Sequence, residues 1–557
     1  MKEQRAKPSV ALRSAYQQNR STVEAVVCVG FLFLTVYALL RYITGPSLAF
    51  LHSDCTDSLL WAYATVETGE ILTPEFHYAA LLPFGAPLWM VPILKMFGYS
   101  VTAHVVSMCV FAVLFIPAAF SLFRAMKCRI HVAAGGTFLL SMLLSGSVKL
   151  REIMWEHVIY YSLSLLFLLV LLNLVLRLVR LMDAADRPRG VKAYVYIGIL
   201  FLLCAGCATD GFQVLAISAA PVAAALIAVT FFDKRHPLHS RHAAKRYVTA
   251  GVMLVGAVLG TVLLKVITKG GTITAAYGSA YSTWSDMSEW SSNSLRFFPQ
   301  YLSLFGVEVN ASMPLFSGES ILMLLRLVTA LALLVCPALL VLRYARLRHT
   351  ASRYVTWVHI VVSAVILLGF ICGTLSGAAW RLTPMLGTAI LATLMYLREL
   401  IGGERLEKRV AVAVTALLTV TAILPAHTML TLPADAGDET EHKILADTLE
   451  SMEYDYGYAT FWNAQVTTLL ADDAVRVLPI NVNESGVSVY AYQTLDRWFD
   501  SGCDDCFLLL SADEYGTLVN TDYWASLTER RQIIDEFTCE GYQIVVFDGD
   551  VLPTPDA

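Results

Sequence analysis

Charged side chains are scarce in this 557-residue chain, at 15% of residues against 57% hydrophobic. Soluble globular proteins carry about a quarter, so an ordinary water-soluble domain is excluded and a bilayer is the implied solvent. Absent too are HxxxH and HxH pairs, the usual sequence sign of a zinc site, and any internal repeat of the kind that marks many transporters. Most of the 11 cysteines lie in apolar runs, where a thiol behaves as a small hydrophobe. Only Cys55, Cys503, Cys506 and Cys539 are expected to be open to chemistry. No cleavable signal is expected, because the stretch through Arg20 is polar and basic and the run 23–43 is long enough to span.

What the chain has instead is eleven apolar runs, near 23–44, 100–123, 131–149, 157–180, 193–209, 212–232, 246–267, 321–343, 354–375, 381–397 and 408–431. Each is long enough to cross a hydrocarbon layer as a helix. Basic clusters follow alternate runs, beginning with Arg124, Lys127 and Arg129 and ending with Arg398, Arg405, Lys408 and Arg409. Positive loops stay in the cytoplasm, which places the N-terminus (residues 1–22) inside. The odd count of spans delivers residues 432–557 outside. That tail holds 25 acidic against 5 basic residues, a balance of −20, so the rest of the chain carries +15 to give the net −5. An acidic outer domain on a basic membrane domain (23–431) leaves no surface suited to nucleic acid.

The fold class expected is therefore a polytopic α-helical membrane protein with a small extracytoplasmic α/β domain. Within the tail, 442–452 has helical spacing, and 475–480, 506–510 and 543–547 read as buried strands. The run 81–97 is apolar too, but counting it would break the alternation, and its prolines argue against a continuous span. It is placed in the outer interface, within a long first outer loop, 45–99. A second long outer loop runs over 268–320.

Ionisable residues at span ends are the informative feature, because burying them at membrane depth is costly. On the outer side stand His52, Asp54 and Asp57 after the first span, then Arg151, Glu152, Glu156 and His157 between the third and fourth. Asp210 sits between two apolar runs, Arg381 opens the tenth, and an aromatic-rich stretch covers 277–301. A carboxylate there can serve as a general base towards an acceptor hydroxyl, with Asp54 the first choice. Arg381 and Arg151 are the cations suited to a departing phosphate. Glu152, Glu156, His157 and Asp210 are alternatively oxygen and nitrogen donors for a divalent ion such as Mg or Mn.

Structural readings stand beside these. Asp54 or Asp57 can simply N-cap the helix starting near Ser58, a role that suits Asp57 better. Arg151 and Glu152 can pair with each other, and Asp210 can pair with an arginine. Cys503 and Cys506 have redox-motif spacing, but the two aspartates between them disfavour a thiolate. A structural disulfide, with Cys539 as a further partner to consider, fits an oxidising compartment. Asn310 and Asn483 each open a glycosylation sequon.

The layout resembles the GT-C superfamily of polytopic glycosyltransferases. The carriers of the resemblance are Leu51-His52-Ser53-Asp54 opening a long first outer loop, the motif 151–157, Asp210 ahead of Pro221, and Trp380-Arg381-Leu382-Thr383-Pro384, similar to an Arg-Tyr-x-x-Pro pattern. The tail phrase 456–464 is similar to outer domains of bacterial members. There is no Asp-Glu pair at Asp54 and no WWD-type motif, so a protein acceptor is disfavoured. The resemblance implies transfer of a sugar from a polyprenyl monophosphate donor to an envelope glycan, lipid or protein, with inversion and with Asp54 as base. The rival readings are a lipid-linked polysaccharide polymerase or ligase, a transporter or flippase, and a non-catalytic envelope scaffold.

Overall fold

The computed structural model of the chain describes residues 20–183, 190–233, 240–270, 273–275, 283–308, 313–500 and 503–552. The Asn310 sequon and residues 277–282 of the aromatic stretch lie outside them. Among the described residues ten helices are long and apolar enough to cross a membrane, and a bent pair makes an eleventh if taken as one span. The chain is a multi-pass membrane protein. In hydrocarbon every backbone N–H and C=O must find its partner within the segment, which makes helices the solution for such runs. Arg20–Ile43 and Gly318–Leu342, at 24 and 25 residues, exceed the ~20 needed to cross the apolar layer.

The third run departs from a straight span. Its helix, Ile130–Leu143, ends after 14 residues, and the chain bends by 118° into Val148–Glu156. Ser147 starts the new direction by accepting a hydrogen bond from the Leu150 N–H, the capping role that serine fills well. Residues 152–156, expected in a loop, therefore form a buried π-helical turn. The run 81–97 gives the helix Pro87–Phe97, with Pro at its first position where no N–H partner is required. Eleven residues rise only ~16 Å, too little to cross.

Close helix approach is built from small residues. An added Cβ at Gly260 would meet the Ala205 carbonyl oxygen at 2.0 Å, and one at Gly256 the Phe201 oxygen at 2.5 Å. This four-residue spacing lets Arg241–Ile267 lie against Val191–Thr209. Replacing Gly260 with Leu is expected to separate the pair and cost about 1–3 kcal/mol. Thermal unfolding in detergent reads that loss, and an unchanged melting temperature contradicts the packing.

The tail folds on a mixed sheet of β1 (Tyr456–Thr460), β2 (Arg476–Asn483), β3 (Gly486–Val489), β4 (Cys506–Ser511), β5 (Ile533–Cys539) and β6 (Tyr542–Phe547), in the order β3-β2-β1-β4-β6-β5. β1 runs parallel to both neighbours, and the remaining pairs are antiparallel. The apolar run of β4 is buried on both faces, as an inner strand requires. The helices Glu441–Ser451 and Phe461–Leu470 follow the sequence reading only in part. The first was expected, whereas the second, with β1 before it, was not.

The sheet domain is pinned to the loop after the first helix. Trp61 Nε1 donates to Gln493 Oε1 at 2.5 Å, the His77 N–H to the Thr494 carbonyl at 3.0 Å, and Arg497 pairs with Glu67 at 2.8 Å. Arg41 closes the join by donating to the Met429 and Leu432 carbonyls, each at 2.7 Å.

Candidate active site

Where the two parts meet there is a cavity of about 580 Å³, lined by Asp54, Asp57, His157 and Arg381 on the helical side. Asp54 sits in the short 3₁₀ turn Ser53–Thr56. That turn is held from across the cavity, because Ser53 Oγ donates to the Phe461 carbonyl at 2.6 Å. Asp57 opens the helix Asp57–Thr68, yet neither aspartate caps it. Thr56 occupies the cap position, and no side-chain cap bond is made. The structural reading for Asp57 is thus corrected, and its Oδ1 is buried with no hydrogen-bond partner.

His157 follows the bent pair. Its Nε2 lies 3.4 Å from Asp57 Oδ2, and neither ring nitrogen makes a hydrogen bond. Burial lowers its pKa to about 4, so the ring is neutral at pH 7 and adds no cation to the cavity. Buried polar atoms without partners are uncommon in folded proteins, and Asp57 and His157 bring three of them to the cavity wall. The opposite trend holds for the carboxylates. Burial, reinforced for Asp54 by neighbouring Asp57, pushes both above the ordinary carboxylate range.

Arg381 comes from the turn Ala379–Leu382, directly before the helix Thr383–Ile401. It donates from Nη1 to the Thr374 carbonyl at 2.7 Å, which fixes the guanidinium at the cavity wall. One cation escaped the sequence reading. Lys149 Nζ lies 2.6 Å from Glu152 Oε2 and 4.5 Å from the ring centroid of Trp380, itself a lining residue. The only signal was its place two residues before Arg151.

The other candidates lie behind the wall or away from it. Glu152 joins His52 Nε2 at 3.2 Å, while the His52 ring stands 6.0 Å from that of Trp462. Arg151 is buried with its guanidinium 5.6 Å from the Tyr42 ring, and Tyr42 donates its hydroxyl to Glu156. These groups brace the first helix against the bent pair. Asp210 does not line the cavity. Its Oδ1 accepts the Phe84 N–H at 2.7 Å and so anchors the turn ahead of Pro87–Phe97.

An apolar pocket of about 320 Å³ lies alongside, lined by Phe212, Ile217, Val365 and Leu368 among others. Consecutive residues border the two spaces, Tyr160 the first and Tyr161 the second.

For a divalent ion, Asp54 and Asp57 supply the oxygen donors at the cavity. Among the described residues, however, the only trio of donor atoms within 4.8 Å of one another is Cys503, Cys506 and Asp550. Cys503 and Cys506 are joined as a disulfide, and Cys539 takes no part. Cys55, expected to be accessible, is 2% exposed because its turn is packed under the sheet domain. The described residues thus do not by themselves build a metal cage in the cavity.

No family model matches the sequence, and neither does any curated protein. Solved structures do. The structure of ArnT from Cupriavidus metallidurans in the apo state has a TM-score of 0.54 at 12% identity, over 95% of this chain and 98% of that one. The same protein bound to undecaprenyl phosphate gives 0.52 at 11%, over 96% and 99%. Archaeal oligosaccharyltransferase AglB from Archaeoglobus fulgidus, in complex with an inhibitory peptide and a dolichol-phosphate, gives 0.44 at 12%, over 82% and 65%, a score that adds no weight. With ArnT matched over nearly its whole length, helical part and tail together, this chain has the fold of ArnT, the architecture that the sequence resemblance implied.

Proposed function

We propose that the chain is a membrane glycosyltransferase that moves a sugar from a polyprenyl monophosphate donor to a hydroxyl of a cell-envelope acceptor on the extracytoplasmic face. The observation that carries this reading is that Asp54 and Arg381, from opposite ends of the helical region, line one cavity beside an apolar pocket. The basic residues Arg124, Lys127, Arg398 and Arg405 support placing the cavity and the sheet domain outside.

In this reading the first isoprene units lie in the apolar pocket, with the phosphate beside Arg381 and Lys149. The acceptor hydroxyl gives its proton to Asp54 as its oxygen bonds to the anomeric carbon. The bond from that carbon to the phosphate oxygen breaks, its electron pair leaves with the polyprenyl phosphate, and the configuration inverts. Arg381 counters the charge that grows on the leaving oxygen, an effect magnified where water is excluded. The unpartnered polar atoms of Asp57 and His157 are suited to the hydroxyls of a bound sugar.

The test is turnover by purified full-length protein of a panel of radiolabelled polyprenyl monophosphate sugars, with a cell-envelope glycan and lipid extract supplied as acceptor, read as acceptor-dependent release of free polyprenyl phosphate. Consumption of at least one donor is expected, and none consumed by the wild type contradicts the reading.

A pH dependence follows from the burial of Asp54. A base must be ionised before it can take a proton, so kcat/KM rises with pH through the raised pKa and is lost below it. The acid limb is expected above the value of about 3.9 of a free aspartate. A limb at or below that value removes Asp54 from the role.

A further inference from the structure

The two walls of the cavity differ in kind. The helical wall holds its charge in Asp54, Asp57 and Arg381, whereas the wall supplied by the sheet domain has no charged side chain among the described lining residues. Four rings dominate that second wall. Trp462 stands beside Phe461 at 5.3 Å between centroids, Phe461 meets Tyr492 at 5.0 Å, and Tyr492 stacks on Tyr490 at 5.4 Å. Their places come from the fold. Phe461 and Trp462 start the helix after β1, and the two tyrosines follow the edge strand β3. Asn481, on the exposed end of β2, adds an amide that both donates and accepts.

Trp462 is the anomaly. It is 57% exposed although it borders a cavity and belongs to an acidic domain whose other lining residues, Asn481 apart, are buried or half-buried. A large exposed ring that lines a cleft offers its face to an occupant with an apolar face of its own. A phosphorylated acceptor would find no cation on this wall, and a basic peptide no carboxylate. A pyranose ring suits it, because its C–H face packs on an aromatic face while its rim hydroxyls reach an amide.

We infer that the sheet domain carries the acceptor subsite and that the acceptor is a neutral saccharide, seated on Trp462 and Tyr490 with Asn481 at its rim. This rests on the transferase reading, which supplies the sense in which the bound sugar is an acceptor. The saccharide then lies opposite Arg381, with a hydroxyl directed across the cavity to Asp54. It also gives the tail a task, since the tie from Ser53 to Phe461 sets the base and the aromatic wall in one frame.

The experiment uses the full-length Asp54→Asn protein in nanodiscs, so that nothing is turned over. Saturation-transfer NMR is run with maltoheptaose, chitotetraose, an α-1,6-linked mannotriose and an arabinan oligosaccharide, with a serine-containing pentapeptide and glucose 1-phosphate as contrasting probes. At least one neutral oligosaccharide is expected to show transfer concentrated on the C–H protons of one ring face. Adding Trp462→Ala should weaken that binding about ten-fold, and Trp462→Phe should restore most of it. No transfer to any of the four saccharides, equal transfer to the Trp462→Ala protein, or Trp462-dependent binding of the pentapeptide instead would each overturn the inference. Donor consumption by the wild type is scored separately. Saccharide binding without consumption sinks the transferase reading and keeps the subsite, whereas consumption without saccharide binding does the reverse.

Discussion

Asp54→Asn is expected to lower kcat by about 10²–10⁴-fold, the range that a positioned general base supplies. The amide keeps the shape of the carboxylate but cannot take the acceptor proton, so the loss should fall on kcat rather than on donor KM. Neighbouring Asp57 sharpens the comparison, because it lines the same cavity and is buried where Asp54 is half-buried. Asp57→Asn should cost less, since its contribution is to sugar hydroxyls and not to the proton in flight. If Asp54→Asn turns over normally while Asp57→Asn does not, the base is Asp57 and the sequence-based choice between them was mistaken.

Arg381→Ala carries the second large effect, about 10²–10³-fold on kcat, as expected for removing one fixed group that meets developing charge. Thr374 holds the guanidinium in place, so little reorganisation is required as the phosphate departs. Arg381→Lys should recover part of the loss. An ammonium supplies the charge without the planar fork that a phosphate matches. Equal loss in the Lys and Ala variants would mean that the bond to Thr374 matters more than the charge, and Arg381 would then be a positioning residue.

Much of the helical part was legible because the bilayer leaves so few solutions. An apolar run of sufficient length finds its backbone partners within itself only as a helix. The bend at Leu143 was not legible. Residues 131–149 read as one continuous run, and what breaks it is a short Ser-Gly-Ser passage that hydropathy averages away. In the tail, β4 and β6 announced themselves as short apolar runs, whereas β1 reads Tyr-Gly-Tyr-Ala-Thr and gains its burial only from the strands on either side.

The candidate cavity shows the same division. Asp54, Asp57, His157 and Arg381 were readable one at a time, because an ionisable group at a span end is conspicuous. Their convergence depends on how distant helices pack, which one sequence does not state. Asp210 was conspicuous for the same reason, yet its carboxylate holds a backbone turn. The opposite wall was visible only as the phrase 456–464, which holds Phe461 and Trp462 and carried a resemblance without a role. Phe461, Trp462 and Tyr490 look like ordinary core aromatics until the sheet turns them towards the helical part.

The most direct test is where the donor lies. A polyprenyl monophosphate bearing a photoreactive group on its first isoprene unit, cross-linked to the full-length protein in nanodiscs and mapped by mass spectrometry, should label residues of the apolar pocket around Phe212, Ile217, Val365 and Leu368. Labelling should be outcompeted by unmodified polyprenyl phosphate and weakened by Arg381→Ala. Cross-links at the other end of the helices, or labelling indifferent to both competitor and variant, would contradict a donor site at this cavity.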